Sequence, residues 1–310
     1  MHFSTILYFL VIVSFTNAKH SNSVVEYLRH LFEKKPTPIV LWHGMGDSCC
    51  NPLSMGWIKK ILEREIEGVY VHSLMIGDNV ISDTEHGFFG NINEQIQQVC
   101  DKISNDEKLR NGYNAIGFSQ GGLFLRGVAQ RCSSPPMKNL ISLGGPQQGI
   151  YGLPLCPGDV RVCDAVRHLL DMGAYVGFVQ KSLIQAQYWH DPIDETTYRQ
   201  YSIFLADANA ENAVNRTYFD NLTKLNNFVL VKFLNDSMIL PKESEWFGYY
   251  AKGDTSTVIP LEKSKLYTED RIGLRTLNEK GKLQFVAIDG DHLQMPETVF
   301  IKEIVNKYLK

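Results

Sequence analysis

The sequence predicts an α/β fold: a mainly parallel sheet, helices on both faces, and one mostly helical insertion. Three observations carry this. Short apolar runs recur along the 310 residues, amphipathic segments lie between them, and a Gly-x-Ser-x-Gly stretch joins one such run directly to a helical segment. Composition agrees, with 44% hydrophobic and 21% charged residues, which is ordinary for a globular chain. The formal net charge of -3 includes no basic patch, which excludes nucleic acid as the expected partner.

The elements follow in order. Residues 1–18 form an apolar run ending in Thr16-Asn17-Ala18, the pattern of a cleaved secretory signal peptide. Residues 19–310 are then the mature chain. It holds no second long apolar segment, so no transmembrane span is expected there. "PTPIVLWHG" (36–44) and "GVYVHSLMIG" (68–77) read as the first strands, and "NINEQIQQVCDKI" (91–103) as an amphipathic helix. "NAIGF" (114–118) is a strand that runs into "SQGGLFLRGVAQRC", a helix beginning after Ser119. "NLISLGG" (139–145) is the next strand. From about 145 to 225 no strand pattern appears, and 163–189 is helical and apolar on more than one side. This is the helical insertion, expected to sit over the carboxyl ends of the strands and form a substrate pocket. "NNFVLVKFLND" (226–236) and "KLQFVAIDGD" (282–291) complete the sheet.

Cysteine and sequon usage point to an oxidising compartment. Six Cys occur, an even number and without a CxxC pair: Cys49, Cys50, Cys100, Cys132, Cys156 and Cys163. Six allow 15 connectivities, which composition does not choose among. Three N-x-S/T sequons begin at Asn215, Asn221 and Asn235.

Ser119 lies in the strand–turn–helix context that a nucleophile elbow requires. Gly117 and Gly121 permit the tight turn, and the following helix N-terminus favours nearby negative charge. A serine hydroxyl needs a base, and in this chain order the acid precedes the histidine. His168 and His190 fall in the insertion and read as packing or surface residues. His292, in "IDGDHLQ" after the last strand, is the expected base. Asp236, at the end of "FVLVKFLND", is the expected acid, with Asp254, Asp289 and Asp291 as rivals. Asp289 and Asp291 are near enough to His292 to shape its loop instead. The oxyanion donors are expected to be the amides of Gln120 and of Met45, the latter in "LWHGMGD" after the first strand. His43 in that loop precedes the serine and reads as loop-shaping. No metal site, phosphate loop or cofactor motif is found, so neither cofactor nor metal is expected.

Residue chemistry therefore reaches a secreted serine hydrolase and does not select the leaving group. "LWHGMGDSCCNPLSMGWIKK", "GYNAIGFSQGGLFLRGVAQRC", "WHDPI", "KFLNDS", "SEWFGYY" and "GDHLQ" resemble the lysosomal palmitoyl-protein thioesterase family, from about Pro38 onward. The resemblance implies an α/β-hydrolase fold and removal of palmitate or other long-chain acyl groups from cysteine thioesters. Its implied partners are S-acylated proteins or peptides and fatty acyl thioesters, and its implied location is the lysosome, reached by way of N-glycans that a sorting receptor binds. It puts the nucleophile on Ser119, the acid on Asp236 and the base on His292, and implies bridges Cys49–Cys50, Cys100–Cys132 and Cys156–Cys163. A bond between chain neighbours stiffens a single turn. Where the family usually has Asp-Pro, this chain has Leu240-Pro241, which removes a rival acid. Trp189, Met238 and Ile239, beside Met45, are the candidate walls of the acyl groove. The alternatives are an oxygen-ester lipase or esterase, a sibling lysosomal thioesterase with narrower head-group tolerance, and a non-catalytic binding protein of the same fold.

Overall fold

The computed structural model describes residues 35–152, 156 and 160–310; the expected signal peptide lies outside the described residues. Six parallel strands form the central sheet in the order β2-β1-β3-β4-β5-β8. They are β1 (Ile39–Trp42), β2 (Val71–Ser73), β3 (Tyr113–Phe118), β4 (Met137–Leu143), β5 (Asn227–Phe233) and β8 (Leu283–Ile288). β1, β3 and most of β4 and β5 are buried, as parallel strands covered on both faces must be. Successive side chains still part company at each step of the pleat. Val40, Trp42, Ala115, Leu140, Phe228 and Leu230 enter one apolar cluster. Ile39, Leu41, Ile116, Ile141, Val229 and Val231 enter the other.

Helices α1 (Met55–Glu65), α2 (Val80–His86), α3 (Ile92–Asn105) and α4 (Gln120–Arg131) follow the first three strands. α3 and α4 cover one face, while α1 and the C-terminal helical segment Glu297–Leu309 cover the other. Cys100–Cys132 ties α3 to the end of α4, and Cys49–Cys50 and Cys156–Cys163 close the remaining bridges.

Between β4 and β5 the described residues form short helices and no strand. The single long helical stretch expected over 163–189 is three pieces, Val160–Asp171, Gly177–Ser182 and Ile184–Gln187. Gly173, at φ 116°, occupies a conformation that glycine adopts readily, and it ends the first piece. Ile184, Tyr188, Tyr198, Phe204 and Leu205 pack this segment onto the α3/α4 face. A two-stranded antiparallel hairpin, β6 (Tyr249–Tyr250) with β7 (Val258–Ile259), was not anticipated. No described helix is long and apolar enough to cross a membrane.

Candidate active site

Ser119 stands between β3 and α4 with φ 54° and ψ −129°, a backbone state that non-glycine residues adopt only when their surroundings enforce it. The flanking glycines explain how. A Cβ on Gly117 would come within 2.3 Å of the Gly121 carbonyl oxygen, and one on Gly121 within 2.6 Å of the carbonyl oxygens of Trp42 and His43. The motif thus lets the start of α4 lie directly against the ends of β3 and β1, and the serine takes the strained corner.

His292 reaches Ser119 from the loop after β8. Its Nε2 is 2.9 Å from the serine Oγ and its Nδ1 is 2.5 Å from Asp236 Oδ2. With Nδ1–H given to Asp236, the Nε2 lone pair faces the serine hydroxyl, the arrangement of a nucleophile, base and orienting acid. The His292 and Asp236 side chains are 8% and 0% exposed. Asp236 is three residues beyond β5, and its Oδ1 accepts the amides of Met238 at 2.8 Å and Ile239 at 2.9 Å. Burial pushes the Asp236 carboxyl up, but the hydrogen bonds from His292 and the Ile239 amide, with the neighbouring Glu245 carboxyl, outweigh it and hold the group below its ordinary value.

The rival acids are elsewhere. Asp254 accepts the Ser256 amide and hydroxyl in an outer turn. Asp289 accepts from the Asn235 amide, and Asp291 from the Ser237 amide and hydroxyl and the His292 amide. Both therefore lace the β5 and β8 loops together, the loop-shaping role expected of them.

Gln120 opens α4, so its amide is among those a helix leaves without an internal acceptor. The loop carrying Met45 lies alongside, with the Gly44 Cβ position 3.2 Å from Ser119 Cβ. His43 is buried there. Its Nδ1 is 2.9 Å from the Gly44 carbonyl, and its Nε2 is 3.3 Å from Asp83. Burial would raise the Asp83 carboxyl, but His43 and the amides of Cys49 and Ile76 bring it below the ordinary value. Asp83 thereby joins the Met45 loop, the Cys49–Cys50 turn and the β2 exit. Sequence reasoning missed it because a helical Asp looks like a surface residue.

It also missed the partners of the Gln120 side chain. That amide gives a hydrogen bond to Gly87 O at 2.8 Å, and its oxygen accepts from Tyr188 at 3.0 Å and Gln185 at 3.2 Å. The residue after the serine is therefore the anchor of the insertion. A third omission is Glu245, 1% exposed, whose carboxyl lies within 4.8 Å of the Asp236 and His292 ligating atoms. Such a trio resembles a metal cluster, but both nitrogens of His292 are already engaged.

Of the groove candidates, Trp189 lines a cavity of about 500 Å³ together with Tyr151, Leu170, Tyr175 and Val176. Trp189 and Met45 pack against the same small cluster of Phe88, Val166, Ala174, Val179, Leu183 and Ala186. Ile239 instead belongs to the main core, because its amide bond to Asp236 turns the chain inward. Met238 is half-buried and does not line the cavity. Among the sequons, Asn235 lies in an exposed turn, Asn215 is the half-buried N-cap of the helix Arg216–Leu222, and Asn221 is buried and gives its side-chain amide to the Gln130 carbonyl at 3.0 Å.

A family model described as palmitoyl protein thioesterase matches residues 38–292. The chain is 57% identical over 274 residues to palmitoyl-protein thioesterase 1 of Caenorhabditis elegans, covering 88% of this chain and 92% of that one. It is 40% identical over 262 residues to palmitoyl-protein thioesterase 3 of Dictyostelium discoideum, with 84% and 86% covered. It is 32% identical over 262 residues to the lysosomal thioesterase PPT2 homolog of Drosophila melanogaster, with 80% and 83% covered. With a matching family model that spans most of the folded chain, and relatives this similar over their own length, the chain belongs to the palmitoyl protein thioesterase family.

Proposed function

We propose that the protein is a serine-dependent thioester hydrolase that removes palmitate and similar acyl chains from cysteines of proteins or peptides in the lysosome. The observation that carries this reading is the hydrogen-bonded file Ser119–His292–Asp236 at the strained elbow, within a chain of the thioesterase family.

The reaction runs in two halves. Ser119 Oγ attacks the thioester carbonyl as His292 Nε2 takes its proton. The oxyanion is held by the Met45 and Gln120 amides. The C–S bond then breaks, the thiol leaves with that proton, and the acyl group stays on the serine. Water, deprotonated by His292, attacks the acyl-enzyme and frees the fatty acid and Ser119. A thiol, with a pKa of about 8.5, leaves far more readily than an alcohol or amine, so protonation of the leaving atom is less critical here.

The acyl chain is assigned to the cavity lined by Trp189. Its volume of about 500 Å³ lies in the range of small-molecule pockets, roughly 300–1,000 Å³. A second apolar cavity, beside Phe118 and Leu293, is only about 110 Å³, too small for a long chain. The insertion over 145–225 is thus the acyl-binding part of one hydrolase domain. Glycans at Asn215 and Asn235 are assigned to delivery through a sorting receptor.

The test is palmitate release from an S-palmitoylated peptide by the purified mature chain, beside the corresponding oxygen ester. Thioester turnover that is lost in Ser119→Ala is the expected result. Faster cleavage of the oxygen ester would place the protein among lipases and esterases, and no covalent labelling by a serine-reactive probe would make it a binding protein.

A further inference from the structure

Asp236 is not the only buried carboxyl at the base of the site. Glu245 lies on the short 3₁₀ helix Lys242–Trp246, which folds back against β5. Its neighbours fix that helix. The Ser244 hydroxyl bonds to the Gly149 carbonyl at 2.7 Å and accepts the Gln148 amide at 3.0 Å, and the Trp246 ring donates to the Leu230 carbonyl at 2.9 Å. Glu245 Oε2 accepts the Phe233 amide at 2.9 Å, while Oε1 is buried with no protein donor. Its carboxyl lies within 4.8 Å of the Asp236 carboxylate.

Two ionised carboxylates side by side in a buried site would repel each other. The charges facing the pair come from several elements. β5 brings Lys232, whose ammonium lies over the Trp246 ring, 4.3 Å from its centroid. The β8 loop brings His292 and Asp291, the latter occupied by Ser237. The 3₁₀ helix itself brings Lys242, bonded to the Leu234 carbonyl, and Glu243. None of these gives Glu245 a hydrogen bond that would stabilise an anion.

We infer that Glu245 keeps its proton and gives a hydrogen bond to Asp236, acting as a positioning residue that sets the acid limb of the pH–activity profile. The inference rests on the reading of Ser119, His292 and Asp236 as the reacting groups. Burial first, and Asp236 second, push the Glu245 carboxyl up to about 10, in keeping with a neutral acid across the physiological range. Its donated hydrogen takes up part of the Asp236 charge. The imidazolium formed when Ser119 loses its proton is then held less tightly than by a free aspartate, so the base stays usable at lower pH. That suits a hydrolase working in an acidic compartment.

The experiment compares kcat/KM against pH on a soluble acyl thioester for wild type, Glu245→Gln and Glu245→Leu. The glutamine amide can give one hydrogen to Asp236 and accept the Phe233 amide, so its acid limb should stay within about 0.3 pH unit. Leucine gives no hydrogen; its acid limb should move up by roughly half to one unit, with kcat down about tenfold and KM little changed. A limb that moves to lower pH in Glu245→Gln would mean an anion had been removed and would overturn the proposal. A limb unmoved in a folded Glu245→Leu would overturn it equally. A measurement without substrate covers a leucine variant that does not fold. The wild-type minus Glu245→Gln infrared difference spectrum near neutral pH should contain the carbonyl band of a protonated carboxyl, and its absence defeats the inference. That spectrum is read whether or not the protein cleaves thioesters, so its failure is distinct from failure of the proposed function.

Discussion

A proton held by Glu245 in the folded chain must appear in the thermodynamics of unfolding. Its folded value of about 10 lies far above the ordinary 4.5. The sign is fixed by linkage: the folded state binds the proton more tightly, so the stabilisation is fully present below about pH 4.5 and is lost as pH rises toward about 10. Between those limits one proton leaves on unfolding, and the slope is about 1.36 kcal/mol per pH unit. From pH 5 to pH 7 wild type should lose about 2.7 kcal/mol from this group. Asp236 adds no slope in that window, since its lowered carboxyl is ionised in both states. Glu245→Gln cannot titrate. Urea unfolding of wild type and Glu245→Gln at intervals from pH 5 to pH 8 therefore isolates the effect, because every other group cancels in the difference. The wild-type advantage should shrink steadily as pH rises. A difference independent of pH would refute the reasoning, because Glu245 would then be ionised in the folded protein.

Four further outcomes are expected. Asp236→Asn should cut kcat by several orders of magnitude while Asp254→Asn and Asp289→Asn leave most of it, since of these three only Asp236 bonds to the His292 ring; Asn235→Gln controls for loss of a glycan, and a worse result for Asp254→Asn would reassign the acid. Replacing both Cys100 and Cys132 by Ala opens a loop of 32 residues and should cost about 4 kcal/mol of unfolding free energy by the loop-entropy relation; a loss below about 1 kcal/mol speaks against that account. Asn215→Gln and Asn235→Gln should each increase gel mobility of the secreted protein, and Asn221→Gln should not, because Asn221 is buried whereas Asn235 is exposed and Asn215 half-buried; a mobility change for Asn221→Gln would show that the sequon is used. Trp189→Ala should raise KM for a sixteen-carbon thioester several-fold more than for a four-carbon one, and an equal rise for both would remove Trp189 from the acyl site.

The frame and the Ser119–His292–Asp236 file were legible because each leaves a local mark. Buried parallel strands read as apolar runs, and Gly117-x-Ser119-x-Gly121 is a steric necessity visible in five letters. Asp236 and His292 were found from chain order and from their place after strands. What was missed depends on tertiary contacts that carry no periodic signature. Glu245 in "SEWFGYY" looks like any charged turn residue until the chain doubles back on β5. Asp83 looks like an exposed helical acid until His43 and the Cys49 amide close around it. Gln185 and Tyr188 sit in an apolar segment whose facing side could not be assigned, because the helix breaks at Gly173 shifted its phase. Ile239 was read by its apolar side chain, whereas the backbone bond to Asp236 decides where it goes.

The nucleophile and its base are 173 residues apart along the chain. During synthesis at roughly 5–20 residues per second, about 10–35 s separate the emergence of one from the other. Throughout that interval the serine has no proton acceptor, because the segment bearing His292 has not yet been made. The loop ties Asn235–Asp289 and Ser237–Asp291 also wait for the final strand. A chain stopped before His292 therefore carries the serine without its base, and should have no hydrolytic power.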